Sequence, residues 1–321
     1  MISEEKANTR IAFRDAMIEL AAKNPKVVLV CADSILVVRG APFKEKFPER
    51  FFDFGIAEQN AVACAAGMAT CGLIPFMATY AGFITMRACE QLRTFVAYPG
   101  LNVKFVGANG GMASGEREGV THQFFEDLGI LRTIPGISVV VPSDPADVKE
   151  AVKAAAAYEG PVYIRIGSGR DPKVFTNPPP FHYGKIRILT DFGTDFSLFA
   201  NGFVLPRALL ATEILKKENL HGVVVEVHTL KPLDIEEIVK VLQRTRAAVT
   251  VEDHNIIGGL GSAIAEVSAE SVQVPLKRVG LMDVYPESGE SEELLDHLGI
   301  GIKDIVEAVK NVIKKKERWH A

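Results

Sequence analysis

Twice along this chain, short unbroken apolar runs alternate with segments whose apolar residues recur at helical spacing, and a proline-rich stretch separates the two series. An apolar run without polar alternation suits a strand covered on both faces. Strands that alternate with helices form mostly parallel sheets flanked by helices. The first series reads helix 11–22, strand 27–33 (VVLVCAD), a short aromatic strand 50–55, and a small-residue helix 60–70. It continues with strand 102–109, the loop GGMASGEREG, strand 137–142, a helix after it, and strand 161–167. Ser143 or Asp144 is the expected N-cap of that last helix, with Pro145 in its first turn. The second series repeats the theme from DFSLFANG (195–202) through GVVVEVHTL (222–230), AAVTVEDH (247–254) and VPLKRVGL (274–281), with two helices closing the chain. The expected fold is therefore α/β with two domains, residues 1–170 and 186–321, joined by a linker over 171–185 that contains Pro178, Pro179 and Pro180.

Length and charge agree with this and exclude several classes. A chain of 321 residues suits two domains. Lys and Arg number 36 against 40 Asp and Glu, a net charge of −4, which leaves no electrostatic footprint for nucleic acid and no basic face for a membrane. No apolar run reaches the ~18–20 residues of a membrane span. The start MISEEKANTR lacks the features of a signal peptide, so a cytoplasmic protein is expected. Cys31, Cys64, Cys71 and Cys89 form no CxxC pair and have no nearby histidine at a zinc spacing, so they read as buried reduced thiols. Walker, HExxH, GxSxG and EF-hand signatures are absent, and no metal site is expected on this chain.

Open α/β sheets bind ligands at the carboxyl ends of their strands, and the informative residues of the first series cluster there. Glu58 follows the strand FFDFG and begins a helix almost free of charge. Such an acid can simply complement the helix dipole, or it can be a carboxylate held dry against a ligand. Tyr80 and Phe83, three apart and separated by Ala-Gly, can fill a core or flank a flat heteroaromatic ring. His122 stands at the exit of the glycine-rich loop, where it is either a polar surface residue or a ligand contact. Arg165 and Arg170 flank the end of PVYIRIG, as surface cations or as forks for a phosphate.

In order, FGIAEQNAVACAAGMA, the aromatic stretch through Tyr80 and Phe83, EGVTHQFFEDLGILRTIPG, VVVPSDPADV, HTLKPLD, VEDHNIIGGLGSAIAE and DVYPESG resemble the C-terminal half of transketolase over nearly the whole chain. The resemblance implies a pyrimidine-binding domain followed by a transketolase C-terminal domain, and thiamine diphosphate as cofactor. It also implies roles. Glu58 would bond N1′ of the cofactor's aminopyrimidine and favour the imino tautomer that takes the thiazolium proton. Tyr80 and Phe83 would line the pyrimidine pocket, with Asp33 an acid near the cofactor. His122 would hydrogen-bond sugar hydroxyls, and Arg10 and Arg165 would hold a sugar phosphate.

Two departures stand out. Gly115-Glu116-Arg117-Glu118-Gly119 is one residue longer than the usual G-E-D-G and puts Glu118 where an aspartate commonly reads a substrate hydroxyl. The segment SILVVRGAPF after Asp33 lacks the usual small polar residues. In the family, a G-D-G…N pattern on a separate domain holds the diphosphate through Mg²⁺, and no G-D-G occurs in this sequence. The expectation is the C-terminal subunit of a split transketolase. It would pair with an N-terminal subunit that carries the Mg²⁺ ligands, in an α₂β₂ heterotetramer, and transfer a two-carbon ketol unit between sugars. The competing expectations are the β subunit of a 2-oxo acid dehydrogenase E1 component, a 1-deoxyxylulose-5-phosphate synthase-like enzyme, and a non-catalytic regulatory paralogue.

Overall fold

A computed structural model describes residues 3–113, 118–175 and 178–319. In chain order the first part contains β1 (Ser3–Ala7), α1 (Thr9–Lys23), β2 (Val27–Cys31), α2 (Ala41–Lys46), β3 (Phe51–Asp53), α3 (Glu58–Thr70) and β4 (Ile74–Tyr80). It continues with a single α-turn, α4 (Cys89–Gln91), between two wider π-helical turns at Phe83–Arg87 and Leu92–Ala97. Then come β5 (Lys104–Ala108), α5 (Asp127–Thr133), β6 (Ser138–Val140), α6 (Pro145–Ala157), β7 (Val162–Arg165) and β8 (Asp171–Lys173). The apolar runs become strands because both faces are covered: every residue of β2, β5 and β7 is buried. At the start of α6 the N-cap is Asp144, whose Oδ1 accepts the Asp147 amide at 2.9 Å while Pro145 takes the first turn.

The second part holds β9 (Arg187–Asp191), β10 (Phe196–Ala200), α7 (Leu205–Lys217), β11 (Gly222–Glu226), β12 (Thr229–Lys231), α8 (Ile235–Thr245) and β13 (Ala248–Asn255). After these come α9 (Leu260–Glu270), β14 (Leu276–Leu281), α10 (Ser291–His297) and α11 (Ile302–Trp319). Its sheet has the order β14-β13-β10-β11-β9, parallel except for β9. The first sheet has the order β12-β6-β7-β5-β4-β2-β3, and its one antiparallel member is β12, from the second half of the chain. The two parts are thus mostly parallel sheets flanked by helices, as expected, but they share a strand. They also share a core, since one cluster of buried apolar side chains runs from Val28 and Val62 through Leu128 and Leu131 to Ile238 and Ile264.

The expected linker is more structured than its prolines suggest. Its first residues form β8, which pairs antiparallel with β1. The Asp171 carboxylate accepts the Thr9 hydroxyl at 2.6 Å, and Asp144 Oδ2 accepts the amides of Val174 and Phe175. The cysteines also differ from expectation. Cys31 is buried, and desolvation pushes its thiol up to about 12, but Cys64 and Cys89 are half-buried and Cys71 is exposed.

His254 sits wholly buried between the two halves. The Gly129 amide donates to its Nε2 at 3.2 Å, so the ring proton must lie on Nδ1, which donates to the Asn255 carbonyl at 2.6 Å. Burial pushes its pKa down to about 4, because a second proton would both charge a desolvated ring and remove the acceptor for Gly129. The unfolded chain therefore takes up this proton first, near its ordinary value. The contribution of His254 to stability is complete above pH ~6.5 and is lost as pH falls toward about 4, by about 1.4 kcal/mol per pH unit at most. Comparing urea unfolding of the wild type and His254→Gln from pH 7 to 4 isolates this effect. The stability gap between them should narrow steadily as pH falls, and a constant gap would refute the assignment.

Candidate active site

The parallel strands β2, β3, β4, β5 and β7 bring their carboxyl ends to one edge of the first sheet. Glu58 opens α3 there, only 2% exposed. Its Oε1 accepts a hydrogen bond from Arg87 Nη1 at 2.8 Å, whereas its Oε2 is buried without a partner among the described residues. Arg87 closes the first π-helical turn and lays its guanidinium 4.0 Å from the centre of the Phe83 ring, and Gln59 donates to its carbonyl. An unpaired buried carboxylate oxygen costs about 1–3 kcal/mol or more. At the carboxyl ends of the strands, such an oxygen can accept a hydrogen bond from a ligand's donor.

Around Phe83 the rings pack edge to face. Tyr80, the last residue of β4, lies 5.3 Å from Phe83 and 4.8 Å from His122. Phe83 lies 5.6 Å from His122 and 5.3 Å from Phe124. The close approach depends on Gly82, where a Cβ atom would stand 2.0 Å from the Phe124 ring. The wide π-turn that follows is a local irregularity of the kind found often at functional sites. Thus Glu58, Tyr80, Phe83 and His122 form one contiguous constellation, with Arg87 linking the acid to the rings.

Two charged groups border it. Arg10, at the start of α1, is buried and donates to Asn109 Oδ1 and to the Gly167 carbonyl. Desolvation lowers its pKa, opposed by Asp171, by the Tyr80 hydroxyl and by Glu118. The Tyr80 hydroxyl is in turn pushed up by burial and by Glu118. Glu118 is exposed, and His122 is half-buried with Nδ1 sharing a 3.0 Å hydrogen bond with the Thr121 hydroxyl. Gly115, Glu116 and Arg117 of the GEREG loop lie outside the described residues.

Other candidates are placed differently. Asp33 is exposed on the turn after β2, with φ 54° and its amide donating to Asp53 Oδ1. Arg165 was expected to fork onto a phosphate, and the structure instead turns its guanidinium inward beneath Gly110. There Nη2 reaches Asp127 Oδ1 and the Phe124 carbonyl, both at 3.0 Å, and Nη1 donates to the Asp253 carbonyl at 2.9 Å. Three acceptors already converge on it, and two of them are backbone atoms that cannot move aside for a ligand. It joins the two halves of the chain. Arg87 was missed by sequence reasoning. A cation in a helix-like stretch looks like a solvated face, and nothing local pairs it with an acid from another helix. In the second half His228 is buried against Phe181 and His297 is exposed beside Glu287. Among the described residues, no group of three or more His, Cys, Asp or Glu could hold a metal ion, and no helix is long and apolar enough to cross a membrane.

Residues 5–169 match the family model "Transketolase, pyrimidine binding domain", and residues 184–305 match "Transketolase, C-terminal domain". The chain is 41% identical to the "Putative transketolase C-terminal section" of Methanocaldococcus jannaschii, over 96% of each chain. It is 38% identical to the 6-deoxy-6-sulfo-D-fructose transketolase subunit SqwH of a Clostridium species, over 96% of this chain and 95% of that one. A solved structure described as "Split gene transketolase, inactive beta4 tetramer" superposes with a TM-score of 0.88 at 40% identity, covering 97% of this chain and all of the other. With both family models matched in order along most of its length, the chain belongs to the transketolase family.

Proposed function

We propose that this chain is the C-terminal subunit of a two-chain, thiamine diphosphate-dependent transketolase that moves a two-carbon ketol unit from a ketose to an aldose. The observation that carries the reading is the buried Glu58 with its free Oε2 beside the Tyr80–Phe83 rings. A dry acceptor flanked by aromatic edges suits a flat heteroaromatic ring that can present a ring N–H. When bound, thiamine diphosphate supplies a nucleophilic carbon for carbonyl chemistry. Glu58 would meet N1′ of its aminopyrimidine through Oε2, and Arg87 would hold the other oxygen so that the carboxylate points into the pocket. Tyr80 and Phe83 would flank the ring, with Asp33 on the rim. His122, Glu118 and Arg10 would face the sugar, supplying donors and acceptors for its hydroxyls and a cation for a phosphate.

The Mg²⁺ ligands and the diphosphate site belong, in this reading, to an N-terminal partner subunit. Its supports are the missing G-D-G and the near-complete match in length to relatives described as a C-terminal section and a subunit. The neighbour described as an inactive tetramer suggests that the isolated chain also self-associates without activity. The test is to purify the tagged chain from its native lysate and assay the bound material for ketol transfer with thiamine diphosphate and Mg²⁺. A co-purifying protein bearing G-D-G, with activity that the chain alone lacks, is the expected result. Full transfer by the chain alone, or turnover of 2-oxo acids in place of sugars, would overturn it.

A further inference from the structure

The segment that carries Glu118 and His122 rises from the first domain, but the second domain holds both of its limbs. On the outgoing limb, the carboxylate of Asp253, buried in β13, accepts the amide of Met112 at 2.9 Å and that of Ala113 at 3.3 Å. Gly111 lies directly on that carboxylate: its φ is +95°, and a Cβ there would stand 2.1 Å from Asp253 Oδ2. Ser291, at the start of α10, donates its hydroxyl to the Ala113 carbonyl at 2.7 Å. On the returning limb, Gln123 donates to the Glu287 carbonyl at 3.2 Å, and the Asn255 amide donates to the Phe125 carbonyl at 2.8 Å. Phe125 also packs against the Tyr285 ring. The limbs close on each other where the Gly111 amide meets the Phe124 carbonyl at 2.7 Å. Phe124 then supports the ring cluster that contains His122.

We infer that Asp253 and Ser291 of the C-terminal domain are positioning residues for the sugar substrate: they set where His122 and Glu118 stand, while their own side chains are buried. This rests on the proposed reading of that pocket as a sugar site. The cofactor contacts arise from α3, β4 and the π-turn, none of which touches Asp253 or Ser291 through a hydrogen bond among the described residues. Loosening the anchor should therefore separate sugar binding from cofactor binding.

The test compares Asp253→Asn and Ser291→Ala with Glu226→Gln. Glu226 also bridges the two halves, through Arg187 and Ser143, but makes no hydrogen bond to the described residues of 111–113 or 118–125. Asparagine keeps the shape of Asp253 but turns an N–H₂ toward one of the two amides. In the full chain, D253N should speed amide hydrogen exchange at residues 111–113 and 119–125 by about tenfold and leave α3 and β4 protected. In the complex with the partner subunit it should raise KM for the acceptor sugar about fivefold, with kcat and the cofactor Kd within about twofold of the wild type. S291A should move both readouts in the same direction by less, and it decides the matter alone if D253N does not fold. E226Q should move neither, even where it lowers the thermal midpoint. Unchanged exchange in D253N and S291A, or an equal rise in KM in E226Q, would overturn the inference. If the wild-type complex transfers no ketol unit, the functional reading fails by itself, because the exchange data still decide whether Asp253 and Ser291 hold the segment.

Discussion

Replacing Glu58 with glutamine is expected to cut turnover of the two-subunit complex by ~10²–10⁴-fold, the range for losing a proton-transfer group, without lowering the chain's thermal midpoint. The two halves of that expectation come from the same geometry. Glu58 is almost wholly buried, yet only one of its oxygens is paired, and that partner, Arg87, is itself 45% exposed. A glutamine of the same shape still accepts from Arg87 through its amide oxygen and no longer buries a carboxylate whose ion pair is to a partly exposed cation, while Arg87 remains free to hydrate. Loss of activity with equal or greater stability is the behaviour of a group kept for function against its own folding cost. Steady-state kinetics and a thermal melt of the same preparation provide the check. Turnover within threefold of the wild type would remove Glu58 from the chemistry and favour a non-catalytic role for the chain.

Arg165→Leu is expected to have the largest effect on stability, a loss of about 3–5 kcal/mol, because it breaks a buried pair by removing one partner. Asp127 is fully buried. One of its oxygens faces Arg165 at 3.0 Å, and the other accepts the Tyr163 hydroxyl at 2.6 Å. Without the guanidinium, the carboxylate is stranded at the seam between the two halves, together with the carbonyls of Phe124 and Asp253. Adding Asp127→Asn to Arg165→Leu should recover part of the loss, since a neutral amide no longer needs the cation. Urea unfolding of the single and double variants measures both effects. A loss below about 1 kcal/mol in the single variant, the range of an exposed pair, would refute this structural role for Arg165.

What was legible in the sequence depended on how far away the cause of each feature lay. The buried strands β2, β5, β7 and β10 announce themselves as apolar runs, because a strand covered on both faces needs nothing polar. The run 222–230 does so misleadingly. It reads as one strand, but after Glu226 the chain leaves the second sheet, and Thr229–Lys231 joins the edge of the first. Three residues carry no period, and the partner that makes them a strand, β6, lies far back in the chain. Strands β1 and β8 were hidden for the same reason. In the site, Glu58, Tyr80, Phe83 and His122 were visible because each stands in a local motif. Arg87 and Arg165 were opaque, the first unnoticed and the second misassigned, since their meaning lies in acids and carbonyls brought near only by folding.

The shared strand also decides how this polypeptide can be cut. Because the chain enters the second sheet, returns to lend β12 to the first, and leaves again, the two domains are stitched rather than hinged. A protease nick between residues 175 and 186 would leave two fragments still sewn together by that stitch and by their common core. Expressed separately, each would fare badly. The N-terminal piece would present β6 as a bare sheet edge beside uncovered apolar surface, an invitation to pair with its own copies. The natural unit of exchange, engineering and domain swapping is the whole chain.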